Sequence, residues 1–217
     1  MVDTVIFDLD GTLLNTLEDL TIALNYSLDL YNYPHVNSND TKKIIGNGIR
    51  KLIERASKDN NDNHLDLMFN QFKEYYIKHC DDYTSSYLGI DKVLNYLKSK
   101  NIKLGVVSNK AKYALEILVN NHFPNTFSVV IGDGEGYQRK PSSEPILKAI
   151  ELLDSKKENT IYIGDSDVDI KTINNTGCIG IIVAYGFRDK NILLENKAMN
   201  LCDSMDELLK KLGEYCG

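Results

Sequence analysis

Apolar and polar positions along the chain alternate between two textures. Short runs rich in β-branched residues occur at Thr4–Phe7, Lys103–Val107, Phe127–Ile131, Thr160–Ile163 and Ile179–Val183. Between them, in Ile90–Lys100, Lys112–Asn120, Glu144–Leu153 and Asp169–Asn175, apolar residues recur three and four positions apart. The short runs read as strands and the longer segments as helices. Strand and helix in alternation predict an α/β fold, a doubly wound parallel sheet with helices on both faces. Ser204–Gly213 predicts a closing helix, capped by Ser204, with Met205, Leu208, Leu209 and Leu212 on one face.

The alternation breaks between the first two strands. From about Thr16 to Tyr83 no strand pattern occurs, and two series recur at helical spacing: Leu17, Leu20, Leu24, Leu28 and Tyr31, then Leu65, Met68, Phe69, Phe72 and Tyr76. A crossover in a parallel sheet needs only about a dozen residues. The stretch therefore reads as an all-helical insert over the sheet, spanning residues 16–83, with 1–15 and 84–217 forming the core. The polar run Lys58–His64 reads as an exposed loop of the insert.

Composition narrows the classes. The 217 residues are 42% hydrophobic and 26% charged, which suits a globular chain with a sizeable core. Thirty-one acidic against 25 basic residues leave a net charge of -6, which argues against a nucleic-acid partner. No membrane span and no leader-like segment is expected, so the reading is a cytoplasmic protein. Cys80, Cys178, Cys202 and Cys216 are scattered without CxxC spacing, and His35, His64, His79 and His122 form no ligand cluster. Zinc or redox chemistry built on them is not expected.

The candidate chemistry lies at strand ends. In a doubly wound sheet, ligands bind beyond the carboxyl ends of the strands. The first strand ends in Asp8-Leu9-Asp10-Gly11-Thr12, the second in Ser108-Asn109-Lys110, and the fourth in Gly164-Asp165-Ser166-Asp167-Val168-Asp169. Arg139-Lys140-Pro141 precedes the helix that starts near Ser143. Each piece alone has an ordinary structural reading as a turn or a helix cap. Together they set acids, a hydroxyl and a lysine along one sheet edge, an inventory suited to phosphoryl transfer. Asp8 and Asp165 could share a hard divalent cation such as Mg²⁺. Ser108 and the amides at a helix start could bind phosphate oxygens, and Lys140 could offset charge on the transferring group. Asp8 and Asp10, two apart, face the same way, so one could attack phosphorus while the other moves a proton.

With these motifs in order, the chain resembles a haloacid dehalogenase-superfamily phosphatase, in the phosphoglycolate phosphatase-like branch with a small helical cap. Asp8-Leu9-Asp10-Gly11-Thr12-Leu13 matches the DxDGT motif, Ser108 the second motif, Lys140 the third, and Gly164-Asp165 through Asp169 the GDxxxD form of the fourth. Gly46-Asn47-Gly48, Tyr76 and His79 resemble the same branch. The resemblance implies a Rossmann-like core and an aspartyl-phosphate mechanism. Asp8 would be the nucleophile and Asp10 the acid and then the base. Mg²⁺ would sit on Asp8, the Asp10 carbonyl and Asp165. Ser108, Asn109 and Lys140 would hold the phosphoryl group, Asp169 would support Lys140 or metal-bound water, and Gly11 and Thr12 would shape the turn. Two positions depart from the pattern: Asn15, where many relatives carry an aspartate, and Tyr87-Leu88-Gly89 in place of Tyr-Pro-Gly. Gly132–Gly136 lacks GxGxxG spacing and reads as a flap beside the site.

The expected partner is a small phosphorylated metabolite, with phosphoglycolate the leading candidate, and the expected assembly is a monomer or a homodimer. Asn47, Gly48 and Arg50 of the insert are the candidate substrate contacts, since exposed amides and a guanidinium suit a second anionic group. A sugar-phosphate mutase, a pyrophosphatase or a nucleotidase would use the same motifs. A phosphonate-cleaving enzyme would need an insert lysine, with Lys42 and Lys43 available. A non-catalytic binding protein would be expected to lack Asp8 or Asp10.

Overall fold

The computed structural model describes residues 1–217. The chain opens with β1 (Thr4–Phe7), turns, and lays down the two-residue β2 (Leu14–Asn15). Four helices follow: α1 (Leu17–Leu28), α2 (Ser38–Ile44), α3 (Ile49–Ser57) and α4 (Asp62–His79). After β3 (Ser85–Ser86), helices and strands alternate as α5 (Ile90–Ser99), β4 (Lys103–Ala111), α6 (Lys112–His122), β5 (Val129–Asp133) and α7 (Glu144–Leu152). The chain then forms β6 (Thr160–Gly164), α8 (Asp167–Thr176), β7 (Ile179–Val183), α9 (Lys190–Glu195), β8 (Leu201–Cys202) and α10 (Met205–Cys216).

Six strands make one parallel sheet in the order β5-β4-β1-β6-β7-β8. The chain winds outward from β1 through β4 to β5, then crosses back to β6, β7 and β8 on the other side. That reversal puts β1 at the switch point, where doubly wound sheets open a crevice at their carboxyl edge. Phe7 lies opposite both Val106 and Ile163, so the residues that follow Phe7, Val106 and Ile163 emerge side by side.

β1 is buried along its whole length. Val5 and Phe7 pack into one apolar cluster and Ile6 into a second, as alternation across a pleat requires. The first cluster does not stop at the sheet. It runs on through Leu20 and Leu24 of α1, Leu52 of α3, and Phe72 and Tyr76 of α4. The helical insert therefore shares a continuous core with one face of the sheet. β2 and β3 pair antiparallel at the two ends of that insert, and the buried Asp19 accepts from the Tyr83 amide (3.0 Å) and the Thr84 hydroxyl (2.7 Å).

Several boundaries differ from those expected. β5 begins at Val129, not Phe127, because Phe127 turns its ring edge-on to Phe7 and Phe123. α8 starts at Asp167, because the Ser166 hydroxyl and the Asp169 carboxylate form a capping box there. Lys58–His64 is a loop only as far as Asn61, whose side chain accepts from the Asn63 and His64 amides and starts α4. The four cysteines are free and buried, and no helix is long and apolar enough to cross a membrane.

Candidate active site

Asp8 directly follows β1, and its Oδ1 accepts from the Leu9 amide at 2.7 Å. Its Oδ2 lies 3.0 Å from Lys140 Nζ. The same ammonium donates to Asp169 Oδ1 and to the Tyr162 hydroxyl, each at 2.8 Å. Asp165, just after β6, accepts from the Phe187 amide at 2.6 Å and from Thr12 Oγ1 at 3.3 Å. Asp8, Asp165 and Asp169 each bring one oxygen within 4.8 Å of the others, and all three are buried.

Two glycines permit this crowding. A Cβ on Gly11, which has φ +83°, would fall on the Asp165 carboxylate. A Cβ on Gly186 would collide with Asp165 and with the Gly11 carbonyl. Gly11 of the DxDGT turn thus admits the fourth motif's acid to the end of β1.

Burial dominates the electrostatics. It raises the Asp8 carboxyl to about 6 against the opposing pull of Lys140, and holds the Asp165 carboxyl well above its ordinary range, with Asp169 and Asp8 adding repulsion. Burial also acts to raise Asp169, but Lys140, Ser166 and Tyr162 outweigh it and hold Asp169 below the usual carboxylate range. Burial pulls Lys140 down, yet Asp169 and Asp8 outweigh it and keep the amine firmly protonated.

Three carboxylates facing one ammonium leave a buried deficit of positive charge, and the donors are all oxygens. That set fits a hard divalent cation. Asp169 has both oxygens engaged, with Lys140 and Tyr162 on one and the Ser166 amide and hydroxyl on the other. Each oxygen of Asp8 and of Asp165 has a single such partner, so these two carboxylates keep the lone pairs to hold the cation, and Asp169 orients Lys140.

Asn109 knits the site together. Its Oδ1 accepts from the Lys140 amide (2.8 Å), and its Nδ2 donates to the carbonyls of Lys140 (2.9 Å) and Gly46 (3.1 Å). Ser108 is buried and lines the same cavity. Asp10 accepts through Oδ1 from Thr16 Oγ1 at 2.6 Å and from Lys110 Nζ at 3.0 Å. The cavity has a volume of about 70 Å³. At about 10–15 Å³ per water, that is room for roughly five water-sized groups. The insert lines it with Leu20, Ile45, Ile49, Leu52 and Tyr76, a largely apolar wall.

The insert's candidate contacts divide. Gly48 lines the cavity, while Asn47 accepts from Arg55 and Arg50 pairs with Asp62 (2.7 Å) and Asp66 (3.2 Å). Neither Asn47 nor Arg50 reaches the cavity wall, because the positive-φ Gly48 ends one run and α3 then turns Arg50 toward α4. Lys42 and Lys43 also stay outside it. The flap at Gly132–Gly136 is anchored: Glu135 accepts from the Gly132 amide and from Lys112, and Asp133 pairs with Arg139.

Lys110, Tyr162, Phe187 and Arg188 complete the site and were not singled out in the sequence. Lys110 had a legible signal, since it stands two residues after Ser108 as Asp10 stands two after Asp8. Arg188 had none. It enters from the loop after β7, its guanidinium 3.0 Å from Asp167 and within reach of the Lys42, Lys43 and Ile45 carbonyls.

A family model described as haloacid dehalogenase-like hydrolase matches residues 5–183. The chain belongs to that family. Among haloacid dehalogenase-like relatives, it is 32% identical over 188 residues to a phosphoglycolate phosphatase of Aquifex aeolicus, covering 84% of this chain and 85% of the relative. It is 29% identical over 219 residues to the pyrophosphatase PpaX of Bacillus mycoides, covering 100% and 99%. A crystal structure from Lactobacillus delbrueckii subsp. bulgaricus, provisionally assigned as a phosphoglycolate phosphatase, superposes with a TM-score of 0.89 at 30% identity, covering 97% of this chain and 98% of that one.

Proposed function

We propose that the chain is a Mg²⁺-dependent phosphatase that hydrolyses a small phosphate monoester through an aspartyl-phosphate, with residues 16–83 acting as its cap. The observation that carries this reading is Asp8: a buried carboxylate at the switch point, bonded to Lys140, beside Asp165, with Asp10 two residues on.

An Asp8 oxygen attacks phosphorus, the P–O bond to the leaving group breaks, and Asp10 gives the departing oxygen its proton. Asp10 then takes a proton from water, whose oxygen attacks the same phosphorus, releasing orthophosphate and the Asp8 carboxylate. Lys140 and Ser108 hold the phosphoryl oxygens while Asn109 fixes the Lys140 backbone. Asp8 and Asp165 would hold the Mg²⁺, which when bound would offset the negative charge of the carboxylates and of the phosphoryl group. The apolar insert wall limits which nucleophiles other than the attacking water reach phosphorus.

Phosphoglycolate is the leading substrate, in agreement with the names of the relatives. Pyrophosphate is the second reading, because the relative named as a pyrophosphatase matches the whole chain and the two molecules are of similar size. Phosphate release across phosphoglycolate, pyrophosphate, sugar phosphates and nucleoside monophosphates tests both. The expected result is the highest kcat/KM on phosphoglycolate, with no release in EDTA and recovery on adding Mg²⁺. A higher kcat/KM on pyrophosphate would replace the substrate, and release undiminished by EDTA would overturn the metal dependence.

A further inference from the structure

The mechanism above leaves one buried charge without a task. Lys110 sits near the end of β4, which runs four residues past the expected Val107, and its side chain is only 3% exposed. Its ammonium donates to Asp10 Oδ1 at 3.0 Å and to the Tyr76 hydroxyl at 2.7 Å, and lies 4.8 Å from the centre of the Tyr76 ring. Tyr76 belongs to α4, in the insert, and is 1% exposed. A buried ammonium is costly unless paired and hydrogen-bonded. Here its partners are the reaction's acid on one side and a helix of the insert on the other.

We propose that Lys110 is a positioning residue for the general acid, and that it couples Asp10 to the seating of α4; the proposal rests on the phosphatase reading of the site. The geometry gives the reason. Asp10 Oδ1 is held from two directions, by Lys110 and by Thr16, so the carboxyl plane is fixed and Oδ2 is the oxygen left for the leaving group and later for water. Lys110 itself is held by the Tyr76 hydroxyl and ring face, contacts that exist only while α4 lies against β4. When α4 moves away, Lys110 loses that support and Asp10 loses one of its two restraints. Proton transfer is thereby confined to the closed arrangement. A general acid misplaced by an ångström forfeits much of its effect.

Lys110 is distinct from Lys140 in what it touches. Lys140 bonds Asp8 and Asp169 on the phosphoryl side, whereas Lys110 bonds Asp10 on the leaving-group side. Loss of Lys110 should therefore weaken protonation of the leaving group while leaving the nucleophile's surroundings intact.

Leaving-group dependence reads this out. An alkyl phosphate needs a proton on its departing oxygen, whereas para-nitrophenyl phosphate departs as a stable phenolate with little help. kcat/KM reports only the steps through leaving-group departure, so slow hydrolysis of the aspartyl-phosphate does not mask the effect. Lys110→Met should lower kcat/KM on the alkyl ester by about 10²-fold or more, and on the aryl ester by less than about tenfold. Lys110→Arg, which keeps a donor cation, should recover part of the loss on the alkyl ester alone. Tyr76→Phe should show the same split with smaller amplitude, and it serves if Lys110→Met fails to fold. An equal drop on both esters, or no drop on either, overturns the positioning role while the wild type's activity keeps the phosphatase reading intact. A wild type that releases phosphate from neither ester nor from the metabolite panel overturns both.

Discussion

Asp8 is held in place by opposing electrostatic effects. It is buried beside two other acids and is compensated by an ammonium that it shares with Asp169. Asp8→Asn should abolish phosphate release while the chain stays folded. It should also change how stability responds to pH. The Asp8 carboxyl titrates near 6 in the fold against 3.8 when unperturbed, so the native state binds more protons than the unfolded chain between those values. The stability tied to this group is present below about pH 4 and is lost as pH rises through about 6. In metal-free protein, the Tm of wild type relative to Asp8→Asn should therefore fall across that window, and saturating Mg²⁺ should remove the fall. A Tm difference that ignores pH would mean that Asp8 is solvated. At this scale much of the site was legible: Asp8 and Asp10 follow β1, Ser108 lies in the polar end of β4 and Asp165 follows β6, and with Lys140 from the loop before α7 they line one cavity, while Asp169 in α8 holds Lys140. Arg50 was misplaced because an arginine at a helix start has the same local pattern whether it faces a cavity or, as here, Asp62 and Asp66 on the next helix.

Helix α8 shows how one element serves both fold and site. Ser166 caps it, Asp169 completes the capping box, and the same Asp169 then holds Lys140 with its other oxygen. Ser166→Ala should cost about 1 kcal/mol as a lost cap. Because the Ser166 hydroxyl also binds Asp169 Oδ2 at 2.6 Å, the variant should in addition lose activity through a loosened Lys140. Chemical denaturation checks the first part and kcat the second; full activity at reduced stability would confine Ser166 to capping. Elements with strong periodicity were legible, and β1 and β7 match the expected residues. β2, β3 and β8 have two residues each and α9 has six, too few for a period to show, so tertiary pairing decides them. β4 overran its expected end because polar Ser108, Asn109 and Lys110 stay extended to serve the site, where an apolar pattern gives no guidance.

On the scale of the whole molecule, the insert is separate in sequence but shares the interior of the sheet. One apolar cluster of 37 buried residues reaches from α10 through the sheet to α1, α3 and α4. Calorimetry should accordingly show a single unfolding transition with matching calorimetric and van't Hoff enthalpies. Two resolved transitions would mean that the insert melts by itself. The run of helices between β2 and β3 was legible from the missing strands between residues 16 and 83, whereas the shared interior was not, because periodicity marks a helix's apolar face without saying what covers it. The burial of the reacting groups has a kinetic side. With Asp8 at 7% exposure, Lys140 at 4% and Asp165 at 2%, the reacting groups lie deep in the cavity, and both an ester and its orthophosphate travel past the apolar residues of the insert. Each cycle then contains two passages, one inward and one outward, and their frequency sets a ceiling on throughput that no improvement in bond-making can lift. Wherever bond-making outruns those passages, traffic past the insert and not the reactivity of a carboxylate sets the pace.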